Sequence, residues 1–181
     1  WELKCPICGK ISRPIPTSEE KSSDPASIYA ITKKSQEEMC LTLGRTYGIP
    51  TVALRYFGVY GPRQSLNNPY TGITAIFAAR IKNNKQPIIF EDGNQTRDFI
   101  SVHDIAEANV LAMEKNKANY DCFNVGTGYA ISINKVSETL LAFYKSSVKP
   151  FVSQQFREGD VRHCVADISK ISKLGFIPKI K

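Results

Sequence analysis

From residue 27 to 47 apolar side chains return every three to four positions, in SIYAITKKSQEEMCLTLGRTY, until Gly48-Ile49-Pro50 interrupts the run; the spacing predicts a helix. The next six residues, TVALRY, are rich in β-branched and aromatic types and bounded by Pro50 and Gly58, which predicts a strand. GVYGPRQSLNNPYTG reads as a loop and ITAIFAARIKN as a second helix, over about 72–83. Short strands are expected at 87–90 and 99–102, on either side of the polar turn EDGNQTRD. Residues 103–115 read as a helix with Asp104 in its first turn, where a carboxylate meets the positive end of the helix dipole. A strand over 122–125 closes on Gly126-Thr127-Gly128, Ser132 is placed to cap a helix to about 145, and a short helix is expected near 168–174. Only residues 1–27 lack a period; rich in Pro, Ser and Cys, they read as an irregular insertion. Strands alternating with helices predict an α/β architecture with a parallel component, and no internal repeat is visible.

Composition narrows the function classes. At 181 residues there is room for one ordinary domain, and 42% hydrophobic residues are enough to give it a core. No apolar run is long enough to span a bilayer, and no signal-peptide pattern opens the chain. The formal charge of +7 suits a polyanion such as nucleic acid, a membrane surface or a small nucleotide diphosphate. The basic residues are scattered rather than clustered, which argues against a nucleic-acid partner. An odd count of five cysteines in an unsignalled chain fits a reducing cytoplasm better than a disulfide framework.

The sharpest chemical signal is Tyr29-Ala30-Ile31-Thr32-Lys33. Residues four apart share a helix face, so a phenol and an ammonium can serve one site. A phenol ionises near pH ~10 in water and is a poor base at neutrality unless a nearby cation favours the phenolate. With that help it can accept an alcohol proton as hydride leaves the same carbon. Any surface helix can carry Tyr and Lys at this spacing, so the weight comes from what surrounds them. A second signal is Cys5-Pro6-Ile7-Cys8-Gly9, which has the form of a zinc knuckle. It supplies two thiolates where a structural zinc needs four ligands, and the plainer reading is two free thiols in a loop. Cys40 and Cys122 read as small buried apolar residues.

Five segments occur in order: SIYAITK, LRYFGVYGPRQ, IFEDGNQTRDFISVHDIAEA, FNVGTG and REGDVRHCVADISK. Together they resemble the extended short-chain dehydrogenases, in particular the NAD-dependent nucleotide-sugar epimerase/dehydratase family, with the dTDP-L-rhamnose 4-epimerases and their relatives most similar. The resemblance covers nearly everything from Pro25 onward. It implies the C-terminal part of an NAD-binding Rossmann fold interleaved with a small α/β substrate-binding domain over residues 25–181. Residues 1–24 would be an insertion forming half of a zinc ribbon through Cys5 and Cys8, the other half lying ahead of Trp1. The implied reaction is 4-epimerisation of a nucleotide-diphosphate sugar through a 4-keto intermediate.

The resemblance makes Tyr29 the catalytic acid/base and has Lys33 hold the nicotinamide ribose. Tyr56 and Phe57 would lie near the nicotinamide, and Arg97 and Arg157 would grip the diphosphate, a role suited to the planar guanidinium fork. Asp98, Asp104, His103 and His163 are expected to be structural or to line the rim, and Gly126-Thr127-Gly128 to be a turn rather than a phosphate cradle. The family usually carries Asn where this chain has Gly58. No G-x-x-G-x-x-G follows an opening strand, and the chain opens on Trp1, so the glycine turn and the catalytic Ser or Thr are expected upstream. A 4,6-dehydratase and an inactive truncated remnant stay open as alternatives. A homodimer built on the Tyr29 helix is the family expectation.

Overall fold

A computed structural model of the chain describes residues 1–65, 71–156 and 158–180. Helix α1 (Ile28–Tyr47) leads into β1 (Val52–Tyr56), β2 (Gly58–Tyr60), α2 (Ile73–Lys82), β3 (Ile88–Ile89), β4 (Thr96–Arg97) and β5 (Phe99–Ser101). Then come α3 (Val102–Glu114), β6 (Asp121–Val125), β7 (Ile131–Ser132), α4 (Ile133–Phe143), β8 (Phe151–Val152), β9 (His163–Cys164) and α5 (Ser169–Ser172). Helices α1 and α4 begin on serine caps: Ser27 Oγ accepts the Ala30 N–H at 3.1 Å, and Ser132 Oγ that of Lys135 at 3.1 Å.

The fold is α/β with parallel pairing throughout the longer strands. β1 runs parallel to β6 over five residues, and β2 to β5, β3 to β8 and β4 to β9 are parallel as well. Among the named strands of the described residues, β7 alone pairs antiparallel, with β4. Parallel neighbours need a long crossover, which the helices between them supply.

Two apolar clusters hold the layers together. In one, Ile100, Phe123 and Val125 pack beneath α3 through Ile105 and Ala108, with Ile171 and Phe176 closing the other side. In the second, Phe77 and Ile81 of α2 meet Ile133 and Val136 of α4 over Ile89. Each such side chain contributes roughly 1.5–3 kcal/mol when fully buried. Helix α1 is different. It buries only Leu41 and Gly44, and its remaining faces are largely open.

The structure departs from the sequence reading in three places. Strands β2, β4, β7, β8 and β9 are two or three residues long; β2 and β4 fall in stretches read as a loop and a turn, and no strand is read from the sequence for the other three. So short a strand has no period of its own; it exists because a distant segment offers it hydrogen bonds. Residues 1–27 are not wholly irregular, since Lys4 bridges Ile11 antiparallel and Thr17 bridges Ala166 in parallel. Cys40, expected to be buried, is exposed, because α1 buries Leu41 and Gly44 and leaves the face that carries Cys40 open among the described residues.

Candidate active site

The first two turns of α1 carry Tyr29 and Lys33 on one side. Lys33 Nζ lies 5.5 Å from the centre of the Tyr29 ring, within cation–π range. It also donates to Gln36 Oε1 at 3.2 Å. Tyr29 is 71% exposed, so phenol and ammonium stand together at an open surface. At the end of β1, Arg55 turns to α1 and forms a two-pronged pair with Glu37, at 2.7 and 2.6 Å. Its neighbour Tyr56 turns to the opposite face, as strand alternation requires, and its hydroxyl donates to Asn109 Oδ1 of α3 at 2.8 Å. Phe57 follows, partly buried, its N–H donating to the Val125 carbonyl at 3.1 Å.

Arg97 sits elsewhere, in a cavity of about 440 Å³ bounded by β2, the start of α2, Phe90 and Gln95. One arm of its guanidinium, Nη1, donates to the carbonyls of Thr96 at 2.9 Å and Arg162 at 3.0 Å. The N-terminus of α2 opens on the same cavity and has no side-chain cap. Two features that attract anions therefore share one hollow. Tyr29 and Lys33 are not among the residues that line it. Arg157, the second expected diphosphate ligand, lies outside the described residues.

Asp98 and Asp104 act in the framework. Asp98 is fully buried, and its carboxylate accepts the Thr127 N–H and hydroxyl, both at 2.7 Å, the Gly128 N–H at 2.9 Å and the Ala166 N–H at 3.1 Å. Those bonds pin the 126–128 turn to β9 and its exit. Gly126 is required there, because a β-carbon would come within 2.5 Å of Asp98 Oδ2. The turn is thus a packing device rather than a phosphate cradle. Asp104 accepts the N–H groups of Lys179 and Ile180, each at 3.1 Å.

Sequence reasoning missed the residues that tie 1–24 to the body. Glu19 Oε1 accepts the Asn124 N–H at 2.7 Å, and Asn124 Nδ2 donates to the Thr17 carbonyl at 2.8 Å. Glu2 pairs with Arg162 and His163. Arg162 also holds Glu91 and Asp92. Burial alone would lower the pKa of this guanidinium; its carboxylate partners outweigh that and raise it. Arg162 stands in a segment already singled out for Arg157, so a second arginine in one motif was the available signal.

The cysteine hairpin is well formed. The Cys5 N–H donates to the Lys10 carbonyl at 2.8 Å and the Gly9 N–H to the Cys5 carbonyl at 2.9 Å. The N–H groups of Cys8 and Ile7, followed by the Cys8 thiol, hold the Cys5 thiol below its ordinary pKa. Such a turn favours thiolate. Among the described residues no group of three or more His, Cys, Asp or Glu side chains is arranged to hold a metal. No helix among them is long and apolar enough to cross a membrane.

The pattern of the NAD dependent epimerase/dehydratase family matches residues 5–126. The chain is 38% identical over 156 residues to the dTDP-L-rhamnose 4-epimerase of Burkholderia thailandensis, a match covering 86% of this chain and 43% of that protein. The solved structure of UDP-glucose 4-epimerase with UDP-glucose from Thermotoga maritima superposes with a TM-score of 0.87 at 36% identity, over 96% of this chain and 55% of that one. UDP-glucuronic acid 4-epimerase from Bacillus cereus, in complex with UDP-glucuronic acid and NAD, gives 0.82 at 32% identity, over 93% and 53%. The chain spans about half the length of the relatives it matches. With the family pattern matched over more than half its residues and identities above 30% across most of its length, the chain belongs to the NAD dependent epimerase/dehydratase family.

Proposed function

We propose that this chain is the part of an NAD-dependent nucleotide-sugar 4-epimerase that supplies the catalytic tyrosine and the sugar-nucleotide site. The observation that carries the reading is Lys33 Nζ at 5.5 Å from the Tyr29 ring on an open helix face. Tyr29 accepts the proton of the sugar C4 hydroxyl, and returns it after the keto-sugar has turned its other face. Lys33 favours the phenolate and holds the nicotinamide ribose. Arg97 and Arg157 hold the diphosphate, Arg97 beside the uncapped start of α2. Phe57 and the main chain of Tyr56, whose side chain is turned to α3, close the end of β1 beside the nicotinamide. NAD, when bound, would supply the acceptor and then the donor for the C4 hydride. The exposed phenol–ammonium pair fits the nicotinamide end of that cofactor, and the sequence holds no glycine fingerprint for the other end. The domain reading, a Rossmann portion interleaved with a substrate subdomain over 25–181, is supported by two apolar clusters fed alternately along the chain. Residues 1–24 we read as the cysteine insertion, with Cys5 and Cys8 giving two zinc ligands and two more coming from outside the described residues. A dTDP- or UDP-sugar substrate, a homodimer through α1 and a cytoplasmic setting complete the proposal; the open faces of α1 support the second of these.

In the full-length protein, Tyr29→Phe should lower turnover by about 10²-fold or more, with the nucleotide-sugar Kd changed less than about twofold. Preserved turnover per bound substrate would remove Tyr29 from the reaction. Release of a 4-keto-6-deoxy product in place of the C4 epimer would favour the dehydratase alternative. No turnover of any nucleotide sugar by the unmutated protein would favour the inactive remnant.

A further inference from the structure

Arg162 stands just before β9 with its side chain 11% exposed, and it gathers carboxylates from two distant parts of the chain. It meets Glu2, pairs with Glu91 at 2.5 Å, and engages both oxygens of Asp92, at 3.0 and 3.1 Å. Glu2 Oε2 also lies 3.0 Å from His163 Nε2, and His163 Nδ1 lies 2.8 Å from Thr96 Oγ1. The main chain of Arg162 serves a different partner. Its carbonyl accepts the Thr96 N–H at 3.1 Å and Arg97 Nη1 at 3.0 Å. Of the two carbonyls that aim the Arg97 guanidinium, one therefore belongs to a residue fixed by its own ion pairs.

We propose that Arg162 is a positioning residue for Arg97, and that Glu2 brings the cysteine-bearing segment into diphosphate recognition through it. The proposal rests on the nucleotide-sugar reading above. A guanidinium grips a diphosphate well only when its fork is held in the right plane, and small displacements of a binding group are costly. Two carbonyls occupy Nη1, which leaves the rest of the fork to meet an anion in the cavity. Glu91 and Asp92 follow Phe90 of the cavity wall directly, so the same guanidinium also fixes that wall. Glu2 adds the third carboxylate from a hairpin segment far away in sequence. Its second contact, to His163, locks the residue next to Arg162 against Thr96, the residue next to Arg97.

Removing Arg162 strands the buried Glu91 and threatens the fold, so Glu2→Gln carries the test. In the full-length protein, Kd is measured by calorimetry for UDP and dTDP, and for uridine and thymidine. Glu2→Gln should weaken the tighter-binding diphosphate about three- to tenfold and leave its nucleoside unchanged. In an Arg97→Ala background it should add nothing. Arg162→Lys, which keeps the charge and loses the fork, should show the same dependence on Arg97. An equal loss for diphosphate and nucleoside, an additive loss in the Arg97→Ala background, or no loss would overturn the proposal. If Arg97→Ala itself leaves diphosphate affinity intact, the diphosphate role of Arg97 fails, and the proposal falls with it.

Discussion

At Gly58 a β-carbon would come within 2.7 Å of the Asp98 carbonyl oxygen, which accepts the Gly58 N–H at 2.8 Å. The Asn that the family resemblance leads one to expect here would have to push β2 off β5. Gly58 thus fits the strand spacing, and it offers the cavity wall no hydrogen-bonding side chain. On the proposed reading, more of the binding would then fall to Arg97. Arg97→Ala in the full-length protein should weaken nucleotide-sugar binding by about 1.5–3 kcal/mol, the usual range for a lost charge-assisted bond. A nucleoside lacking the diphosphate should be affected far less. Calorimetry with both ligands checks this, and equal losses would mean that Arg97 serves the fold. Asp98, one residue on, shows how sequence can mark a residue without revealing what it does. The motif points to the position, while the four bonds that make it structural come from segments about 30 and 70 residues away.

Among elements, the cysteine hairpin and the 91–92 turn have the most distinct chemistry. Burial would push the Asp92 carboxyl up, but hydrogen bonds from Arg162 and Asn94 outweigh it and bring it down to about 2. A carboxyl lowered on folding stabilises the protein fully above its unfolded value of ~4 and loses that contribution as pH falls through the folded value. Acid titration should therefore show a loss on the order of 1–2 kcal/mol between about pH 4 and 2 that Asp92→Asn removes. Urea melts at several pH values measure it; an unchanged pH slope in the variant would show that the Arg162 pair carries little energy. For the hairpin, the expectation is about one zinc per chain in freshly purified, reduced full-length protein, lost in Cys5→Ser with Cys8→Ser. Metal analysis that finds no zinc would leave a thiolate-favouring turn with another use.

For the molecule as a whole, the 181-residue chain alone is expected not to retain NAD, since no glycine fingerprint is present to seat the pyrophosphate. β1 has β6 as its one partner among the described residues, and α1 is largely open, so unpaired edge and apolar surface should make the isolated chain poorly soluble. Calorimetry with NAD⁺, beside a full-length family member, checks the first point; tight binding would mean that the cofactor site has been misplaced. The long elements were legible in the sequence. Periodicity and caps gave α1, α3 and α4 to within two residues, because a helix that buries one face must repeat its apolar positions and end on residues that satisfy its free backbone groups. The pairing of Tyr29 with Lys33 followed from that same period. Tertiary structure decided the rest: which two-residue segments became strands, that Tyr56 faces α3, that Cys40 is exposed, and that Glu2 meets Arg162. Each of these depends on a partner far away in sequence, and local spacing carries no information about which distant group will supply the missing hydrogen bond or charge.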